Sequence, residues 1–373
     1  VLVSLATVLL LAALALAFAN GANDNFKATA TLHGAGDLDF AAARRLATVA
    51  QLAGSLASLF WASALLKAFG GKGLVPDAVV ADPGFLLAVG LGAAATVLLA
   101  TRLGLPISTT HALVGGLVGA GVLLSPSPIA WDALRGTFVL PLLSSPLVAL
   151  LAASLLYPMA HQLRRRSGVE AAPCLCVGTV QTPVCVGSDG TLVQASTGIV
   201  LSVDEMAACR TLYSGSYLGI PLQALADRLH RVSAFSLGFA RGLNDTPKIV
   251  ALVLAAGASG LDGRAALAIV ALAMAVGGWL GAERVADTLS HRITSMSPGQ
   301  GLVANSIASA LVIGASLLGS PVSTTHVSTG ALFGIGLWNR STDWRVVGGI
   351  VIAWLVTLPL AAACAAGIAF VVS

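Results

Sequence analysis

Two short polar stretches, each set inside a long apolar run, carry the residues that could do chemistry. The first is Phe18-Ala-Asn-Gly-Ala-Asn-Asp-Asn-Phe-Lys27 and the second is Phe239-Ala-Arg-Gly-Leu-Asn-Asp-Thr-Pro-Lys248. Phe, Ala, Gly, Asn, Asp and Lys recur at matching positions. A second pair follows in the same order: Gly104-Leu-Pro-Ile-Ser-Thr-Thr-His111 returns as Gly319-Ser-Pro-Val-Ser-Thr-Thr-His326. The chain is therefore an internal duplication. Pro106 and Pro321 precede hydroxyl runs and mark helix starts, Ser108, Thr109 and Thr110 in one copy and Ser323, Thr324 and Thr325 in the other. Hydroxyls and free backbone N–H groups at a helix N-terminus suit a small oxyanion. Asn23, Asp24, Asn25, Asn244, Asp245 and Thr246 sit where each preceding helix should break, and carboxylates and carbonyls at a break suit a small cation. Together they describe a site for an anion with a cationic partner. Lys27 and Lys248 belong to the same stretches. His111 and His326 either hold the backbone or touch the substrate.

The elements that must position these residues are membrane helices. The chain has 373 residues, 57% hydrophobic and 10% charged, with mean hydropathy +0.90. A soluble domain carries about 25% charged residues. Apolar runs of about 18 or more recur, which gives an all-α polytopic membrane protein, and no run alternates like a lipid-facing barrel strand. The 41 glycines fit close helix packing and broken helices. Val1–Ala19 is as apolar as a signal peptide, but lacks a basic lead and runs straight into a repeat motif, so it is expected to be a retained span. Polar residues at matching positions amid apolar helix are difficult to explain as packing, and charges at mid-membrane are functional candidates.

Residues 1–160 form the first transmembrane repeat, 161–231 a central insert, and 232–373 the second repeat. Expected spans are Leu46–Phe69, Phe85–Thr101, Ile107–Leu124 and Thr137–Tyr157, then Ser233–Ala258, Ala265–Ala282, Leu302–Leu318, Val322–Leu337 and Val346–Val372, with a Gly/Pro-rich loop at Lys67–Pro83. The paired segments around each Pro-x-Ser-Thr-Thr-His are either two spans or one re-entrant hairpin. Val177 to Val203 reads as a small β-rich element and Asp204–Arg231 as helical. Arg44 and Arg45, Arg164 to Arg166, Arg228, Arg231, Arg284, Arg292, Arg340 and Arg345 all fall on one side if each half has an odd number of spans. That side is then the cytoplasm, with both termini outside and the insert inside. An odd count also inverts the second half relative to the first.

The duplicated motifs resemble the PiT family of inorganic phosphate transporters, whose pattern is a repeated Gly-x-Asn-Asp break, each followed by a Pro-x-Ser-Thr-Thr-His start. The resemblance covers the chain outside the insert. It implies inverted repeats with broken helices or helical hairpins, alternating access at a midplane site, and uptake of inorganic phosphate coupled to Na⁺ or H⁺ across a bacterial plasma membrane. It also implies that the hydroxyl starts and break residues hold phosphate while Asp24 and Asp245 serve the coupling cation. Three features depart from the family. Lys27 and Lys248 stand where relatives carry Asn. Gln51 stands in the second span and Asn305 ahead of the second helix start, where relatives often carry Glu. Two carboxylates are exchanged for two ammonium groups. Either these ammonium groups take the places where Na⁺ would bind, or they contact the anion, or they snorkel to the interface.

Cys174, Cys176, Cys185 and Cys209 lie in the insert. Disulfides are not expected in a cytoplasmic loop, and four thiols are weak candidates for Zn²⁺ because their spacing fits no standard knuckle. Cys364 lies in a span as a small packing residue. No other cofactor is expected. Sulfate is the runner-up substrate, since it is also a tetrahedral oxyanion. A membrane receptor or enzyme is the alternative of another class. It is disfavoured by the absence of a P-loop, a His-Glu-x-x-His and a nucleophile elbow, and an ATP-driven pump is disfavoured on the same ground. Inorganic phosphate and the lipid bilayer are the expected partners, nucleic acid is not, and a homodimer is the assembly left open.

Overall fold

The two halves do not fold side by side; their helices are exchanged. The computed structural model describes residues 5–61, 63–69, 73–127, 129–166, 173–181, 185–186, 192–193, 196–205, 213–255, 262–292, 297–339 and 343–373. The long helices are α1 (Leu5–Asp24), α2 (Phe40–Trp61), α3 (Pro83–Arg102), α4 (Thr109–Leu124), α5 (Leu140–Arg166), α6 (Leu222–Ala255), α7 (Gly263–Gly281), α8 (Pro298–Leu317), α9 (Thr324–Asn339) and α10 (Trp344–Val372). α1 packs on α7 and α6 on α2; α4 packs on α10 and α9 on α5. Each of these contacts joins one half to the other. The motif glycines permit the closest of them. A Cβ on Gly21 would overlap the Met274 carbonyl, and one on Gly242 would overlap the Gln51 carbonyl. Small residues let helix backbones approach where lipid supplies no hydrophobic drive between helices.

Among the described residues, six helices are long and apolar enough to cross a membrane: Leu5–Ala28, Pro83–Arg102, Trp131–Gln162, Gly263–Gly281, Pro298–Leu317 and Trp344–Val372. Their outer faces expose Leu143, Leu151 and Leu155 on α5 and Ile352, Leu355 and Phe370 on α10. Such surfaces belong against lipid, so the chain is an integral, multi-pass membrane protein. Arg44 stacks on Trp279 at 4.1 Å and donates to its carbonyl at 2.9 Å, so the start of α2 lies beside the end of α7.

The segments around each Pro-x-Ser-Thr-Thr-His share one local design. α3 starts with Pro83 behind an Asp82 cap that accepts from Gly84 N at 2.8 Å. It ends at Gly104, with φ +69°, where Leu105 N reaches back to the Ala100 carbonyl at 2.9 Å. Only glycine takes that left-handed turn without strain, and the bond closes a Schellman end. Gly319, also at φ +69°, ends α8 in the same way, with Ser320 N on the Ala315 carbonyl at 2.9 Å. The chain then turns back into the protein: Pro106 to Ser108 and Pro321 to Ser323 are buried. α4 and α9 start there, in the interior. Gly104 lies against Arg284 and Thr288, near the start of α2, whereas Gly319 lies against Ala64, just past its end.

Two expectations change. α1 breaks as expected, giving a 3₁₀ turn at Asn25–Ala28 and a short helix at Ala30–Gly34. α6 does not break: it runs through Asn244, Asp245 and Pro247 as one helix. Pro247 removes one backbone donor there, and the surrounding helix carries the turn across it. In the insert, β4 (Ser196–Glu205), β1 (Pro173–Gln181) and β5 (Tyr213–Pro221) form an antiparallel sheet in the order β4-β1-β5, beside a short β2 (Cys185–Val186) and β3 (Leu192–Val193) hairpin. The β-rich reading of the middle therefore holds. The helical reading of Asp204–Arg231 does not: β5 pairs with β1 from Tyr213 onward and the helix begins only at Leu222. Glycine, serine and tyrosine in Tyr213-Ser-Gly-Ser-Tyr-Leu-Gly-Ile are poor helix formers, and β1 offers a free edge to pair with.

Candidate functional site

The interior start of each hydroxyl helix meets the Asn-Asp stretch of its own half and reaches the other. Ser108 caps α4 by accepting from His111 N at 3.2 Å, and Ser323 does the same for His326 N at 3.2 Å. Their hydroxyls are thus committed to the backbone, whereas Thr109, Thr110 and Thr325 bond to residues of the centre.

Lys27 is buried there. Its Nζ pairs with Asp24 and donates to the Ile107 carbonyl at 2.8 Å, to Asn23 Oδ1 at 3.2 Å, and to the hydroxyl of Thr325 in the other half. Lys248 mirrors it. Its Nζ pairs with Asp245 at 3.1 Å and donates to the Val322 carbonyl at 2.9 Å and to Thr110 Oγ1 of the first half at 2.8 Å. The threonines complete the exchange: Thr325 donates to the Ile107 carbonyl at 2.8 Å and Thr110 to the Val322 carbonyl at 3.3 Å. Asn23 ties its break to the turn after α3, donating to Thr101 Oγ1 at 2.9 Å and the Leu105 carbonyl at 3.0 Å. Asn244 is held by Ser316 at 3.3 Å and donates to Val322 O at 3.2 Å.

Two residues that no sequence argument singled out complete the cluster. Asn20 and Arg241 occupy the same slot in the two stretches. Arg241, 2% exposed, donates through Nη2 to Asn20 Oδ1 at 2.7 Å and through Nη1 to Asn25 Oδ1 at 3.1 Å. Its Nε lies 3.9 Å from Asp245 Oδ2. Asn20 Nδ2 reaches Asp24 Oδ2 and Thr109 Oγ1, both at 3.0 Å, and Asp245 Oδ2 at 3.4 Å. Asn20 therefore links the two aspartates. The signal was present in their position in the motif, but their side chains differ, and matching identities passes over them.

Of the remaining candidates, Thr109 donates to Asp24 Oδ2 at 3.2 Å and Thr324 is buried at the start of α9. Asn25 bridges the cluster to α2, accepting from Arg241 and donating to Thr48 at 2.9 Å, while the Thr246 and Ser55 hydroxyls bond at 2.7 Å. His111 and His326 pair with each other, ring centroids 4.4 Å apart, and His326 lies 3.9 Å from the Trp354 ring. Gln51 donates to Ser55 at 2.7 Å and Asn305 to Thr31 at 2.9 Å. The side chains of Cys174, Cys176 and Cys185, and all of Cys209, lie outside the described residues. Among those described, no group of three His, Cys, Asp or Glu gathers as a metal site.

A cavity of about 1000 Å³, lined by Lys67, Asp77, Phe138, Ala251 and Leu254 among others, opens at the end of α2 away from Arg44. Phe69 packs edge-on against Phe138 at 5.3 Å, and Lys248 Nζ lies over the Phe69 ring, 5.5 Å from its centroid. Phe138 lines the cavity, so a chain of ring contacts runs from it through Phe69 to Lys248.

The family model described as the phosphate transporter family matches residues 20–365. A protein of Pyrococcus horikoshii named "Putative phosphate permease" is 30% identical, with 93% of this chain and 92% of that one covered. A Mycobacterium bovis protein named "Probable low-affinity inorganic phosphate transporter" is also 30% identical over 95% of this chain and 74% of its own. The solved structure titled "The sodium-dependent phosphate transporter" has the same fold, with a TM-score of 0.75 at 19% identity over 99% of each chain.

Proposed function

The chain belongs to the phosphate transporter family, a family of permeases rather than enzymes, and from that premise we propose that it moves inorganic phosphate across a membrane as a secondary transporter. One observation carries the reading: Lys27, Lys248, Thr110 and Thr325 converge from both halves on one buried centre. A tetrahedral oxyanion takes donors and positive charge from several directions, and the buried N-termini of α4 and α9 beside the ammonium charges of Lys27 and Lys248 supply them there. The placement of Gly104 and Gly319 at opposite ends of α2 supports repeats of inverted topology. Helices of that kind meet at mid-membrane and expose their common site to each side in turn. The cavity beside Phe138, at the end of α2 away from Arg44, fits an outer approach in such a cycle. Arginine at the start of α2 and after α7 supports a cytoplasmic insert and outward termini.

Asp245 Oδ2 favours phosphate over sulfate. It accepts one long hydrogen bond, from Asn20 at 3.4 Å, and stands 3.9 Å from Arg241 Nε, which leaves it a lone pair to accept the P–O–H of a protonated phosphate, a donor that sulfate lacks at neutral pH. Labelled phosphate binding to the purified protein, with unlabelled sulfate as competitor, tests the assignment. Displacement by phosphate but not by sulfate is expected; equal displacement by both would transfer the site to oxyanions in general.

A further inference from the structure

A coupling cation needs a cage of oxygens, and at the buried centre two such cages are each filled by a lysine of the chain itself. Small hard cations take carboxylate, carbonyl and hydroxyl oxygens. Around Lys27 Nζ stand the Asp24 carboxylate, Asn23 Oδ1, the Ile107 carbonyl and the Thr325 hydroxyl. Around Lys248 Nζ stand Asp245 Oδ1, the Val322 carbonyl and the Thr110 hydroxyl. These are the ligand types that Na⁺ would use, drawn from both halves of the duplication. A Na⁺ ion entering either cage would compete for oxygens already engaged and would meet a unit positive charge at contact distance. The residues present do not fit an added Na⁺.

Arg241 extends the same charge balance. Asp24 and Asp245 are the carboxylates of the cluster, and with Lys27, Lys248 and Arg241 protonated the cations exceed them by one. The excess lies on the side of an incoming anion. Snorkelling does not account for the lysines, because both are buried (7% and 1% exposed) and each Nζ is held by a threonine of the opposite half.

We propose that Lys27 and Lys248 are built-in counter-cations, tethered ammonium groups that occupy the coupling-cation positions, so that the chain carries its oxyanion with no requirement for Na⁺. The proposal rests on the phosphate-transport reading and specifies its coupling. Its first test is labelled phosphate uptake by wild-type proteoliposomes with Na⁺ or choline outside, each with and without an imposed proton gradient. Equal rates in Na⁺ and choline are expected. Uptake that collapses in choline would overturn the built-in cation and leave phosphate transport standing. Absence of uptake in every medium would instead strike the transport reading.

The second test reads cation binding directly. Purified wild type should not bind radiolabelled Na⁺, whereas Lys27→Asn combined with Lys248→Asn empties both cages and should gain Na⁺ binding, with a melting temperature that rises with Na⁺. Saturable Na⁺ binding by the wild type, or a folded double variant that gains none, would contradict the proposal. If the double variant does not fold, Na⁺ binding by the wild type and the choline substitution decide it.

Discussion

Thr110 and Thr325 bear most directly on whether the centre is a shared site. Each hydroxyl accepts from the lysine of the opposite half and donates to the carbonyl that the same lysine uses. Thr110→Val and Thr325→Val keep the shape and remove the hydroxyl. Each hydroxyl positions a lysine ammonium at the centre, and a hydrogen bond to a charged group contributes about 1.5–3 kcal/mol, so releasing that ammonium should weaken phosphate binding about tenfold or more. The two losses should be similar, because the environments are related by the duplication. Titration of each variant with phosphate checks this, and a loss confined to one half would deny a symmetric site. At this scale the sequence was legible where the repeat preserves identity: Asp24 with Asp245, Lys27 with Lys248, and the hydroxyl starts. It was not legible at Asn20 and Arg241. Their value lies in being different, an amide that joins two carboxylates and the guanidinium that holds that amide. Nor does sequence tell which of several hydroxyls caps a helix and which faces the centre.

Among the elements, the glycines of the two stretches set how closely α1 and α7, and α6 and α2, approach. Gly242→Val would drive a side chain into the Gln51 carbonyl and the Ser55 amide. Overpacking of this kind costs about 1–3 kcal/mol, so the variant should melt at a lower temperature than the wild type, as read by tryptophan fluorescence in detergent. The start of α6 offers a second handle. His230 bonds Thr31 at 2.9 Å and faces Asp37 at 3.3 Å, with Gly301 of α8 packed on its ring. Burial pushes the His230 imidazole below its ordinary value, against the pull of Asp37 and Asp227. The folded protein therefore holds a neutral ring, and the unfolded chain binds the proton first as pH falls. Stability supplied by this group is complete above the unfolded value, about 6.5, and is lost as pH drops below it. His230→Gln should flatten the decline in melting temperature between about pH 7 and pH 5; a decline as steep as in the wild type would place the acid sensitivity elsewhere. The helix starts after Pro106 and Pro321 were legible because proline and a hydroxyl cap are local signals. The uninterrupted course of α6 was not, since the same Asn-Asp pair breaks α1 and leaves α6 whole.

Across the whole molecule, the duplication and the membrane class were legible from motif order and composition alone. The exchange of helices between halves was not. Apolar periodicity in a membrane protein does not separate a face that meets lipid from one that meets a helix, so Gly54 against Phe239 and Gly277 against Phe18 emerge only in three dimensions. The insert was read correctly where valine and threonine dominate and misread toward its end, where β5 depends on β1 far along the chain. The exchange gives the transport reading its physical basis, since no half of the chain makes the site without the other. The most direct measurement is uptake of labelled phosphate into liposomes holding the wild type, beside empty liposomes and the Thr110→Val, Thr325→Val double variant. The account predicts saturable uptake by the wild type, blocked by unlabelled phosphate and spared by sulfate, and strongly reduced in the double variant. Uptake no faster than in empty liposomes, or a double variant that transports like the wild type, would contradict it.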